Sequence, residues 1–269
     1  MTAGRRTAAG AVLLVLVFLL AFVGPLVSPY GWDETDFAAF RQGPSGGHWL
    51  GTTQSGRDVF AFTLRGAQHS LLVGLSAALL STGLSAAVGT AAGFLGGRVD
   101  RVLMWGVDLL LVLPSFLIVI VLAPRIAGGW PVLAAVLAAF MWMVTARAVR
   151  AATLSLRDRD HVLAARFLGV GTPRLVMRHV APGLASLLAV DASLNVSVAI
   201  VAESGLSYLG FGARPPDVSL GTVIADGQGG TTARPGAFGF AAGLLMLIVV
   251  AVNLLGDGLR DALDPEAGR

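Results

Sequence analysis

The chain has 269 residues, 55% of them hydrophobic and only 13% charged, with a mean hydropathy of +0.77. A soluble domain of this size carries about a quarter charged residues, so water-soluble enzyme folds are disfavoured from the outset. Cysteine is absent, which removes disulfides, thiol nucleophiles and cysteine-based metal sites.

All 19 basic residues are arginine. A phosphate-binding loop of the form Gly-x-x-x-x-Gly-Lys followed by Ser or Thr needs its lysine to reach the terminal phosphates, so this chain cannot hydrolyse ATP by that route. Schiff-base chemistry falls away for the same reason. The pI of about 10.5 is compatible with nucleic acid, but the arginines flank apolar runs. Membrane topology therefore explains them better, and no nucleic-acid partner is expected.

Crossing the hydrocarbon core takes about 20 mainly apolar residues in a helix. Six stretches approach that length: 11–28, 71–95, 102–123, 131–150, 184–210 and 237–256. Arg5 and Arg6 precede the first, as in a secretory signal. However, no small-x-small cleavage site follows and the run to Ser28 is long for a signal, so it reads as a retained span. Residues 29–70 form an outer loop with Trp32 and Trp49 at headgroup level and a helix lying along the interface near 57–66. Gly89, Gly93 and Gly97 repeat every fourth residue, the spacing that lets helix backbones approach closely. Pro114 and Pro124 predict a kink or a stop in and after the third span.

Arginine counts set the orientation. With the N-terminus inside, the inner segments 1–10, 96–101, 147–183 and 257–269 hold thirteen arginines and the outer segments six. The expected fold is an all-α membrane protein of six transmembrane helices with both termini cytoplasmic. It divides into 1–28, the outer loop 29–70, a five-helix core 71–258 with an inner loop 151–183, and a tail 259–269.

The inner loop is the most informative stretch. Asp158 and Asp160 favour a helix start, and Val162, Ala165 and Phe167 form a narrow apolar strip on it. Gly169, Val170 and Gly171 break that helix. Thr172 caps a second one starting at Pro173, and Pro182 with Gly183 stops it at the membrane. A basic loop of this length is either a docking element for a soluble partner or a solvated segment near anionic headgroups.

Asp108, Asp191 and Glu203 fall within apolar spans, where ionisable groups are costly and point to function. Asp191, Asn195 and Glu203 lie within about 120° of one another on one helix, and Ser207 extends that flank. They are the candidate lining of a translocation path, with structural pairing and a proton relay as competing readings. Asp108 reads as the partner of a neighbouring arginine. His48, His69, His161 and His179 have no ligand spacing and none falls in an expected span, so neither a metal centre nor a serine nucleophile activated by histidine is expected.

Four stretches and the tail carry a resemblance. They are His48-Trp49-Leu50-Gly51-Thr52 with Gly56-Arg57-Asp58-Val59; Gly96-Gly97-Arg98-Val99-Asp100; the inner loop; Glu203-Ser204-Gly205-Leu206-Ser207-Tyr208 with Pro215-Pro216; and Asn253 to Pro265 at the end. Together they resemble the inner-membrane permeases of ATP-binding-cassette importers, in the dipeptide, oligopeptide and nickel branch, as the second of two permease partners. The inner loop resembles that family's EAA motif, which seats in a groove on the ATPase.

That resemblance implies a type I importer permease of a bacterial inner membrane. It implies an ATPase-coupling loop of Leu163, Ala164, Ala165, Arg166, Gly169, Val170 and Pro182. The implied partners are a homologous permease forming a heterodimer, two ATPase subunits that bind the ATP and Mg, an external substrate-binding protein, and membrane lipid. No cofactor is implied in this chain, and no enzymatic activity. Leu163 stands where the motif's glutamate is usual, which removes one polar contact to the ATPase. Thr53 and Gln68 likewise replace a usual aspartate and a common arginine. The implied cargo is a dipeptide or oligopeptide, with nickel or another chelated ion as the alternative inside the family. From another class, an ion-coupled secondary transporter using Glu203 and Asp191 is the competing reading.

Overall fold

A computed structural model describes residues 3–122, 128–228 and 235–263. The first helix, α1 (Ala3–Val27), packs along α10 (Pro235–Leu263). Val17 and Ala21 of α1 join Leu244, Ile248 and Val252 of α10 in one buried cluster with Leu64 and Leu71. Gln68 ties the pair to the next helix by donating to the Ala21 carbonyl at 2.8 Å. The first span is thus part of the bundle.

Helix α2 (Val59–Leu95) has 37 residues, about 55 Å at 1.5 Å per residue and longer than the ~30 Å hydrocarbon core. Its start is fixed by Asp58, whose Oδ1 accepts from the Ala61 amide at 2.9 Å while Oδ2 bonds His48 Nδ1 at 2.9 Å. His48 also stacks on Tyr30, with ring centroids 4.2 Å apart. The expected interfacial helix near 57–66 and the span 71–95 are therefore one continuous helix. The polar stretch that suggested a boundary, Gln68 to Ser70, carries its hydrogen bonds into the bundle instead of ending the helix.

The third span is broken. Leu113 is extended at ψ 133°, as the residue before a proline is pushed to be, and α3 (Gly97–Val112) meets α4 (Ser115–Leu122) at 76°. Pro114 is the cause, as its position predicts, while Pro124 lies outside the described residues. Among the described residues, five helices are long and apolar enough to cross a membrane, six when the bent pair counts as one. Their outward faces are apolar, with Leu26 83%, Leu79 60% and Val112 82% exposed, the pattern of a lipid-facing surface.

Helix α5 (Gly129–Arg157) runs seven residues past the expected span, so 151–157 is helix and not loop. Three arginines anchor the second half of α5 to its neighbours. Arg147 bonds Asp108 at 2.5 Å, Arg150 holds Asp100 with two nitrogens, and Arg157 Nη1 donates to the Gly93 carbonyl at 2.9 Å. The α2–α5 contact is close because Gly89 and Gly93 are bare: a Cβ there stands 2.6 Å from the Ala146 oxygen and 2.7 Å from the Arg150 oxygen. That is the close approach the glycine repeat predicts for its first two members; Gly97 instead begins α3, with nothing within 4 Å of a Cβ placed there.

After the inner loop, α7 (Thr172–Leu175) passes through a π-turn (Val176–Val180) directly into α8 (Ala181–Tyr208). Pro182 and Gly183 do not stop the helix as expected. A proline lacks an N–H and crowds the carbonyl four residues back, and the wider π-turn just before it relieves that crowding. Thr172 is not the cap either: Gly171 occupies that position with no side-chain hydrogen bond. Helix α9 (Leu220–Gln228) packs on α8 and α10.

Candidate functional site

The inner loop between α5 and α8 holds α6 (Asp160–Phe167). Val162 and Ala165, 1% and 9% exposed, face Leu175 beneath them, and Phe94 and Val170 pack against the cluster. Ala164, Arg166 and Gly169 face outward and Leu163 is half-buried. Phe167 and Leu168 are 90% and 83% exposed, with Met177 at 73%. The expected strip Val162–Ala165–Phe167 therefore splits: its first two members anchor the loop and the third leads the free apolar face. Alternation on a helix of eight residues leaves two faces, and composition alone does not say which one the chain itself covers.

Gly169 sits at φ +80°, a left-handed conformation that favours glycine, and its amide closes the turn by bonding the Arg166 carbonyl at 3.0 Å. A second cluster, Val149, Leu156, Val180 and Leu184, clamps the base of the loop to both flanking helices. The loop thus hangs from α5 and α8 as one body and presents Phe167 and Leu168. Pro182 lies at the α8 end of that base.

The acids of the membrane segments occupy three settings. Asp108 pairs with Arg147, as expected for it, with side chains 58% and 52% exposed. Asp191 is half-buried and gathers donors from three helices: Thr82 at 3.0 Å, Thr145 at 2.5 Å and Asn195 at 2.8 Å. Glu203 is fully buried, and its two oxygens take Ser70 at 2.7 Å and Ser207 at 2.6 Å. Asp191 and Glu203 are about 18 Å apart along the helix. The expected continuous lining divides: Asp191 and Asn195 sit at a half-open surface, and Glu203 and Ser207 are enclosed by the chain's own atoms.

Two features escape a reading of the sequence. Thr82 and Thr145 complete the Asp191 cluster, yet a threonine in an apolar span carries no local signal of its distant partner. His69, expected outside the spans, lies within α2 and is 7% exposed. It lines a cavity of ≈ 250 Å³ together with Trp130, Leu133, Val136 and the strap 212–217. Only the true length of α2 reveals it. On the inner side, the His161 and His179 rings come within 6.3 Å of each other. Among the described residues no group of three or more ligating side chains is placed to hold a metal.

Two family descriptions match the chain. The binding-protein-dependent transport system inner membrane component matches residues 83–269, and the N-terminal TM domain of oligopeptide transport permease C matches residues 5–44. Among similar proteins, the oligopeptide transport system permease protein OppC of Mycobacterium tuberculosis is 51% identical over 263 residues, covering 97% of this chain and 90% of its own length. The protein of the same name in Bacillus subtilis is 37% identical over 257 residues, covering 96% and 84%.

Proposed function

This chain belongs to the family of binding-protein-dependent transport system inner membrane components, and from that premise we propose that its inner loop is where a nucleotide-driven motor takes hold. The chain is a permease subunit of a peptide importer of the ATP-binding-cassette class. The names of its relatives favour oligopeptide cargo over a chelated metal.

The observation that carries the proposal is the outward face of α6. Phe167 and Leu168 are 90% and 83% exposed at the end of an anchored loop, next to the outward Ala164. Large apolar groups displayed this way, with a small residue thinning the face beside them, fit the groove of a protein partner. Arg166 and Arg174 add positive charge beside it. The excess of arginine on this side supports a cytoplasmic placement for the loop and for both termini. The absence of lysine fits a division of labour in which two ATPase subunits bind and spend the ATP.

A homologous permease completes the path as a heterodimer, and an external binding protein delivers the peptide. Asp191 and Asn195 face the path and Glu203 braces the helix behind it. Motion of the ATPases reaches the membrane through the α5–α8 base of the loop. The test is co-purification of the ATPases with a Leu168→Glu variant: loss of the ATPases with normal insertion supports the proposal, and normal yield with normal uptake refutes it.

A further inference from the structure

The cavity beside His69 lies between α2, the first turns of α5 and the strap that follows α8. One wall is apolar, formed by Trp130, Leu133 and Val136. The other is polar. His69 Nε2 lies 3.9 Å from Asp217 Oδ2, their side chains being 7% and 31% exposed. Neither ring nitrogen of His69 has a hydrogen-bond partner among the described residues. An unpartnered buried imidazole is costly to keep, so a buried one beside a cavity asks for a ligand.

The donor and acceptor balance selects the ligand's chemistry. Asp217 offers only acceptors, and a neutral imidazole adds one more beside its single donor. An anion entering here meets the Asp217 carboxylate directly, while Glu203, buried behind the wall, and Arg65 act on His69 with opposite sign. A group rich in donors and positively charged satisfies Asp217 and the imidazole together. Trp130 lines the same cavity and supplies an aromatic ring of the kind that attracts such a charge, and Leu133 with Val136 suits a short aliphatic stem. Arg214 stands at the exposed rim, where solvent screens it.

We propose that this cavity is a substrate subsite that takes an alkylammonium group, the lysine-like side chain of an imported peptide, between His69, Asp217 and Trp130. The proposal rests on the permease reading above and names a cargo preference within it. His69 and Asp217 act as specificity determinants, separate from the inner-loop machinery.

The test uses the assembled permease–ATPase complex in lipid nanodiscs, without binding protein, and equilibrium dialysis of radiolabelled trilysine and trialanine. The complex should hold trilysine at least tenfold more tightly than trialanine. Asp217→Asn, which keeps the side chain's shape, and His69→Ala should each abolish that preference while leaving trialanine binding unchanged. A complex with no preference, variants that keep it, or variants that lose both peptides equally would overturn the proposal. Trialanine uptake by cells separates the two claims. Wild-type cells that import none would sink the permease reading itself, whereas import without any trilysine preference would sink only the subsite.

Discussion

Ser70 of α2 donates to Glu203 Oε2 at 2.7 Å and accepts the Leu220 amide at 3.2 Å, so one hydroxyl joins three helices around a buried carboxylate. Ser207 donates to the other oxygen at 2.6 Å and accepts the Ala213 amide at 2.9 Å. Glu203 is thus the centre of a closed brace that sets where α8 ends and the strap begins. Glu203→Ala leaves these hydroxyls short of an acceptor and opens a cavity. It should lower the stability of the detergent-purified chain by about 1–3 kcal/mol, read as a lower melting temperature. Glu203→Gln, which keeps the volume, should cost less. Equal melting of both variants and the wild type would refute the brace.

Asp191 gathers three donors yet keeps an open side. Its replacement by alanine strands the buried Thr82 together with Thr145 and Asn195, which are half-exposed and can be compensated by water. If Asp191 lines the path as proposed, the predicted phenotype is a loss of peptide uptake of about tenfold with assembly intact. Uptake at the wild-type rate, or a collapse of assembly, would place Asp191 among the structural acids.

The α2–α5 seam tests the glycine spacing. Gly89→Val and Gly93→Val push a side chain into backbone oxygens 2.6 and 2.7 Å away, which should cost about 1–3 kcal/mol each and lower the yield of folded protein. Gly83 lies in the same helix with nothing within 4 Å of its Cβ position, so Gly83→Ala should be neutral or stabilising. A thermal-unfolding series over the three positions measures the contrast; a uniform response would deny that close approach is the reason for the glycines.

The bundle was legible from residue type where one local cause acts. Pro114 bends the third span, the glycine repeat marks a close seam, and Gly169 breaks the loop helix. Asp108 was also readable, since a lone acid in an apolar span near arginines seeks one of them. What was not legible depends on distant partners. Gln68, His69 and Ser70 look like a boundary until α1 and α8 are in place to satisfy two of them. Pro182 looks like a stop until a π-turn relieves it. Val162 and Phe167 look alike until Leu175 covers one and leaves the other free. For Glu203 and Asp191, helical phase placed them on one flank, but only the packing of α2 encloses the first and leaves the second open.

The inner loop itself separates surface from anchor. Phe167→Glu should preserve insertion and melting temperature, because the residue touches little of the chain, while removing the ATPases on purification. Val162→Glu buries a charge at a site 1% exposed and should instead unfold the loop and lower stability. Identical behaviour of the two would contradict the division of faces seen in α6.

A grip on α6 by the ATPases is open to direct measurement, because the chain has no cysteine of its own. A single cysteine placed at Leu168 can be labelled with a maleimide in inverted membrane vesicles, with and without the ATPase subunits. A gripped α6 should show rapid labelling of the permease alone and strong protection once the ATPases are bound. Equal labelling in both states would contradict it.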